Sequence, residues 1–138
     1  MSRIDEGLYT YLVAQSGLTA LVGRRIWPQR AREATELPYV VYERAGDERP
    51  HTMGSDTAPT RTTYLFSCYG QTYDSAHDVA EQIETALNHY SGTPLAGVVI
   101  SGALCEGITD DYADEGPTNE GGQGVHRAVC IVAVWHFA

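Results

Sequence analysis

The sequence contains no lysine. All nine of its basic residues are arginine, and they face 18 acidic residues, so the formal net charge is −9. Proteins that wrap nucleic acid gain most of their affinity by neutralising phosphates with basic side chains, so this balance argues against such a role. An acidic surface is compatible instead with a wall along which DNA passes without binding.

Long apolar runs are also missing. No stretch approaches the roughly 20 apolar residues that span a bilayer. The N-terminus carries Arg3, Asp5 and Glu6 where a secretory leader would have an apolar segment. We therefore expect a protein that is made in a cytoplasm and has no membrane contact.

Cysteine is scarce. Cys68, Cys105 and Cys130 are an odd number, widely spaced, and each lies in an apolar run. A disulfide framework or a zinc site requires paired or closer spacing. We expect these cysteines to be small buried side chains, and we expect no metal or other cofactor.

What the sequence does contain is a clear alternation of elements. Apolar residues at helical spacing predict helices over 3–15 and 74–90, with a short helical turn between them that ends at Gly23. Runs of β-branched and aromatic residues predict strands over about 38–45, 61–69, 98–104 and 125–137. We predict one α+β domain over 1–138: a four-stranded, mainly antiparallel sheet with helices packed on one face.

Two polar stretches rich in glycine and proline, 46–60 and 106–124, separate these elements. Loops of this length in a compact domain are uncommon unless they serve a partner. We predict that both are loops whose contacts become ordered on assembly.

The arginines are unevenly distributed. Arg24, Arg25, Arg30 and Arg32 place four of the nine within nine positions, around Trp27. Two interpretations remain open: a solvated connector, or a basic edge that meets an acidic patch on the next subunit of an assembly.

Catalytic patterns are weak. His77-Asp78 is similar to the metal-binding pair of phosphohydrolases, but no further ligands stand at suitable spacing. The acidic residues after 106 lack the order of a calcium loop, and 121–124 lacks the helix of a phosphate loop. We predict that the protein is not an enzyme. Two alternatives are a small metal-dependent hydrolase using His77 and Asp78, and a monomeric adaptor domain that binds a protein.

One stretch resembles a known family. The segment LTALVGRRIWP at 18–28, followed by LPYVVY at 37–42, resembles the tail-completion proteins of long-tailed phages and phage-like gene transfer particles. These are small tail-terminator or head–tail joining proteins. The strand that ends in Cys68-Tyr69-Gly70 and the helix entered through 73–76 are similar as well.

The resemblance implies a structural virion protein without catalysis, located at the head–tail interface. It implies a homohexameric ring that caps the tail tube, docks to the head connector and lets DNA pass. Its partners would be other copies of itself, the tube protein and the connector protein. On that basis we expect subunit-interface residues at Arg24, Arg25, Trp27, Arg30 and Arg32. The residues expected to contact neighbouring rings or line the lumen are Arg49, His51, Asp56, Asp110, Asp111, Asp114 and Glu115.

Overall fold

The structure is a computed structural model that describes residues 3–28, 37–48, 59–95, 97–113 and 125–137. The described helices are α1 (Arg3–Val13), α2 (Ser16–Val22) and α3 (Tyr73–Leu87). The described strands are β1 (Ile26–Pro28), β2 (Tyr39–Glu48), β3 (Thr60–Gly70), β4 (Gly92–Leu95), β5 (Val98–Ala113) and β6 (Val125–Phe137).

All six strands belong to one sheet, which is curled into a half-barrel and has the order β1-β2-β3-β6-β5-β4. β1 runs parallel to β2, whereas every other neighbouring pair is antiparallel. The sheet is therefore mixed, and the prediction of a four-stranded, mainly antiparallel sheet was wrong. β6 lies between β3 and β5, so both of its edges are paired within the sheet.

The two strands missing from the prediction are β1 and β4. β1 is the tripeptide Ile-Trp-Pro and β4 is Gly-Thr-Pro-Leu. Proline and glycine in runs this short predict turns rather than strands. Both strands stand at the ends of the strand order, where the missing N–H of proline breaks no ladder within the sheet.

β5 is also longer than the sequence predicts. Residues 106–113, expected to be a loop, continue the strand and pair with β6, from Gly107 opposite Ile131 to Ala113 opposite Val125. A bulge between Cys105 and Gly107 shifts the register there. The ladder forms between main-chain groups, so polar side chains such as those of 109–111 do not prevent it.

The core lies between the helices and one face of the sheet. Ile4, Leu8 and Leu12 line one side of α1, at the spacing of successive helical turns. α3 begins at its N-cap Thr72, whose side-chain oxygen accepts the N–H of Ser75 at 3.0 Å. The buried residues that α3 contributes to this core are Ala76, Val79, Ala80, Ile83 and Leu87.

None of the helices in the described ranges has the length and apolar composition needed to cross a membrane.

Candidate assembly surface

The first edge of the sheet is formed by β1, together with the turn that leads into it. α2 ends at Gly23, whose φ of 60° lies in the left-handed region that glycine adopts without strain. The main chain then turns through Arg24 and Arg25, and the carbonyl of Arg25 accepts the N–H of Val40 at 2.9 Å. This bond fixes the entry to β1 against the start of β2.

Arg25 serves the fold itself. Its Nε donates to the carbonyl oxygen of Pro38 at 3.1 Å, and its Nη2 donates to that of Leu21 at 3.4 Å. The side chain thus joins the end of α2 to the beginning of β2. Carbonyl acceptors do not neutralise a guanidinium, so Arg25 still adds positive charge to this edge.

Arg24, by contrast, is exposed at the same edge. Trp27 is half-buried on β1, where its register partner is Val41 of β2. The predicted interface residues Arg30 and Arg32 lie outside the described residues. Of the predicted interface residues that the structure describes, Arg24 is the exposed charge at the β1 edge.

The opposite edge is formed largely by β5. β4 pairs with β5 only near its start, with Gly92 opposite Ile100 and Leu95 opposite Val98. The loop after α3 then covers the next part, where His89 donates its N–H to the carbonyl of Ala103 at 2.8 Å. Beyond that point, residues 106–113 have no strand beside them on this side within the described ranges.

Asp110 lies on this open part of β5, and two side chains of α3 contact its carboxylate. The Tyr73 hydroxyl lies 3.5 Å from Asp110 Oδ2, and His77 Nε2 lies 3.4 Å from Asp110 Oδ1. The Tyr73 and His77 rings stack with centroids 5.2 Å apart. The other ring nitrogen of His77, Nδ1, lies 3.4 Å from Glu81 Oε1. Strand and helix thus bring together acidic groups that are far apart in the sequence.

These carboxylates act together on Tyr73. The nearby negative charge of Asp110 raises the pKa of Tyr73 above its ordinary value of 10.0, and Asp74 and Glu81 raise it further. Asp74, Glu81 and Asp110 are all exposed. The β5 edge therefore carries an exposed acidic patch.

Of the other predicted contact residues, the structure describes only the main chain of Asp111. The main chain of Asp111 lies on β5 opposite Arg127 of β6. Asp110 and Asp111 were expected in a loop, whereas both lie on a strand. Arg49, His51, Asp56, Asp114 and Glu115 lie outside the described residues.

The two charged edges stand at the same level of the sheet. One line of register partners crosses it through five strands: Ile26, Val40, Cys68, Ala128 and Asp110. Arg24 and Arg25 directly precede the first member of this line, and Asp110 is the last. A basic edge and an acidic edge are thus aligned on opposite sides of the subunit.

A second polar cluster lies between α1 and the sheet. Asp5 of α1 accepts a hydrogen bond from the Tyr64 hydroxyl and one from Arg44 Nη2, the latter at 3.2 Å. Arg44 Nη1 lies 3.4 Å from Asp47. The Thr62 hydroxyl donates to Asp47 Oδ1 at 2.7 Å. The cluster connects a helix to two adjacent strands.

His136 completes this cluster from β6. Its Nε2 lies 2.7 Å from Thr62 Oγ1. Thr62 has one proton, which it donates to Asp47, so His136 Nε2 must carry the hydrogen that it shares with Thr62. Nδ1 is then an unprotonated acceptor, and it has no hydrogen-bond partner within the described part of the chain. Burial lowers the pKa of His136 from its ordinary value of 6.5.

Neither cluster has the form of an active site. Thr62 is 1% exposed and its proton points at a carboxylate, so it is not an activated nucleophile. His77 faces Glu81 and Asp110 through different ring nitrogens, so these groups do not converge on one point. Among the residues that the structure describes, no three His, Cys, Asp or Glu side chains come together as a metal site.

The cysteines follow their predicted role in part. Cys68 and Cys130 are buried, and burial raises the pKa of both thiols. Cys105 is half-buried, and its Sγ lies 3.4 Å from that of Cys130 across β5 and β6. Cys105 lies opposite Val132 of β6, so Cys130 is its diagonal neighbour on the same face of the sheet, a proximity that their separation in sequence does not indicate.

The described residues form one curled sheet with helices on one face, and two edges of that sheet carry opposite charge. The family described as tail completion protein gp17 matches residues 6–136. The chain belongs to this family of structural proteins of the phage tail, and it is accordingly a virion protein.

The fold is also similar to that of a solved structure. A chain from "Virion of native gene transfer agent (GTA) particle" superposes with a TM-score of 0.62 at 15% identity. The similarity covers 94% of this chain and 92% of that one. At this identity it demonstrates a shared fold. A search of curated proteins finds no match.

Proposed function

We propose that this chain forms a homohexameric ring that ends the tail tube and docks the tail to the head connector. The observation that carries the proposal is the family match over residues 6–136, which includes part or all of every described element from α1 to β6. The similar chain of a gene transfer agent virion supports the same assignment at the level of the fold.

The charge of the chain supports a ring through which DNA passes. With nine arginines, no lysine and 18 acidic residues, the subunit has little capacity to neutralise phosphates. A ring of such subunits surrounds its axis with negative charge, which repels the DNA backbone and leaves it free to move. The proposed contacts with neighbouring rings and the lumen include Arg49, His51, Asp56, Asp114 and Glu115.

Deletion of the gene tests this function and separates its two parts. If the ring ends tube growth, particles without it should show tails of uncontrolled length by negative-stain electron microscopy. If it serves only to join, tails of normal length should accumulate apart from filled heads. Supplying the chain in trans should restore joined particles in both cases. Normal, joined and infectious or transducing particles in its absence would overturn the proposal.

A further inference from the structure

We propose that neighbouring subunits meet edge to edge: the β1 edge of one copy, with Arg24, lies beside the β5 edge of the next, with Asp110. The inference rests on the ring proposed above and specifies which surfaces close it. The occupant of each edge is therefore a second copy of this chain.

Charge decides which edges meet. Two β1 edges placed together would bring Arg24 and Arg25 against their own copies, and two β5 edges would do the same with Asp110. Like charges placed directly together cost several kcal/mol, so both twofold arrangements are disfavoured. The β1 edge against the β5 edge pairs opposite charges. This is a heterologous contact, the type that generates rings.

The directions of the strands permit this contact. β1, β2 and β6 run in one direction, and β3 and β5 run in the opposite direction. Rotation about a ring axis that runs along the strands preserves these directions, so β1 of one copy would run antiparallel to β5 of the next.

The two edges also lie at the same position along the strand direction, as this contact requires. Ile26 and Asp110 share one line of register partners across the sheet. A copy added at the edge without a shift along the strands brings Ile26–Pro28 opposite Ile108–Asp110. Arg24 then stands beside the acidic end of β5.

Side chains rather than main chains should supply most of this contact. β1 has three residues and ends at Pro28, which has no N–H to donate. Short edge strands that contain proline resist indiscriminate sheet extension. Selectivity for the correct neighbour would then come from Arg24 against Asp110, with Tyr73 and His77 holding the carboxylate in place.

The absence of lysine makes a direct test possible. Arg24→Lys introduces the single lysine of the chain, and it keeps the charge at this position. A zero-length carbodiimide couples an amine to a carboxylate in contact with it. Applied to assembled particles that contain mixed ¹⁴N- and ¹⁵N-labelled subunits, it should yield a cross-link from residue 24 to Asp110 in mixed-isotope peptides. The unsubstituted chain is the control, because its only coupling amine is the N-terminus.

Within one copy the same cross-link is not expected. β1 and β5 are separated by four strand spacings of about 4.8 Å each, about 19 Å along the sheet. Two results would overturn the edge contact. One is that both peptides of every cross-linked pair carry the same isotope. The other is that residue 24 couples only to carboxylates outside β5 and α3. If a ring is nevertheless visible by electron microscopy, the proposed function survives that result. If no ring is present and joining is normal, the proposed function itself fails.

Charge exchange gives an independent test. Arg24→Glu and Asp110→Arg should each lower the fraction of joined particles by about tenfold or more, because each places like charges at the junction. The double variant should recover most of the loss. Asp110→Asn and Glu48→Gln are matched neutralisations of exposed carboxylates, and only the first should reduce joining. Equal effects of these two, or no recovery in the double variant, would count against the contact.

Discussion

The two polar clusters of this subunit use similar side chains in opposite surroundings. In one, Asp5 is held by the hydroxyl of Tyr64 and by Arg44. In the other, Asp110 is held by the hydroxyl of Tyr73 and by His77. Tyr64 is fully buried, whereas Tyr73 is 51% exposed. The same chemistry therefore stabilises the fold in the first cluster and remains available to a partner in the second.

The pKa values of the two tyrosines are raised for different reasons. Burial is the main cause that raises the pKa of Tyr64, with Asp5 adding to it. The charge of Asp110 is the main cause that raises the pKa of Tyr73. Burial likewise raises the pKa of Tyr42, another buried side chain near Asp5, to about 12. Removing a group from the cluster between α1 and the sheet should thus reduce stability, whereas removing one from the exposed cluster around Asp110 should affect assembly.

The largest effect is expected from Asp5→Ala. It leaves the buried Tyr64 hydroxyl without its acceptor and removes one partner of Arg44, so the free energy of unfolding should fall by about 2–3 kcal/mol. Asp110→Ala, the matched change in the exposed cluster, should alter it by less than about 1 kcal/mol. Urea denaturation followed by circular dichroism measures both. Equal losses would show that the clusters do not differ in their structural role.

Arg24 and Arg25 extend the comparison to adjacent residues. Arg25→Ala removes two hydrogen bonds to main-chain carbonyls, and it should lower the free energy of unfolding by about 1–2 kcal/mol. Arg24→Ala removes an exposed side chain and should change it by no more than about 0.5 kcal/mol. Thermal and urea unfolding of the pair provide the measurement. A larger loss for Arg24 than for Arg25 would reverse the assignment of their roles.

His136 makes the cluster between α1 and the sheet sensitive to pH. Its pKa is lower in the folded protein than its ordinary 6.5, so the unfolded chain takes up a proton first as the pH falls. Its contribution to stability is present above pH 6.5 and is lost below it, by at most about 1.4 kcal/mol per pH unit.

His136→Gln should remove that part of the pH dependence. Unfolding free energies of the two chains between pH 5 and 7.5 provide the measurement, and the difference between the curves isolates this residue from the carboxylates common to both. Parallel curves would contradict the assignment.

Much of this fold could be predicted from local sequence. α1 and α3 have apolar residues at helical spacing, and β2, β3 and β6 have enough β-branched and aromatic residues to indicate strands. β1 and β4 could not be predicted, because three or four residues with proline show no period. The second half of β5 has polar side chains, and its conformation depends on pairing with β6.

The two clusters could not be predicted for a different reason. Tyr64 lies 59 positions from Asp5, and Tyr73 lies 37 positions from Asp110. Only the packing of α1 and α3 on the sheet brings these residues together. The sequence left two interpretations of the four clustered arginines open, a solvated connector or a basic edge, and their place at a subunit interface stays a prediction. It did not indicate that Arg25 is largely engaged within the fold, because its carbonyl acceptors carry no side-chain signal.

The smallest changes in stability are expected from removing the tyrosine hydroxyl of each cluster. Tyr64→Phe and Tyr73→Phe remove one hydroxyl each. The first removes a buried donor to Asp5 and should lower the free energy of unfolding by about 1 kcal/mol. The second removes a 3.5 Å contact at the surface and should change it by less than about 0.5 kcal/mol. If Tyr73 positions Asp110 for the next subunit, Tyr73→Phe should still reduce the fraction of joined particles, by less than Asp110→Asn does. Loss of joining with unchanged unfolding would place the Tyr73 hydroxyl in assembly. Unchanged joining would leave the contact to Arg24 and Asp110 alone.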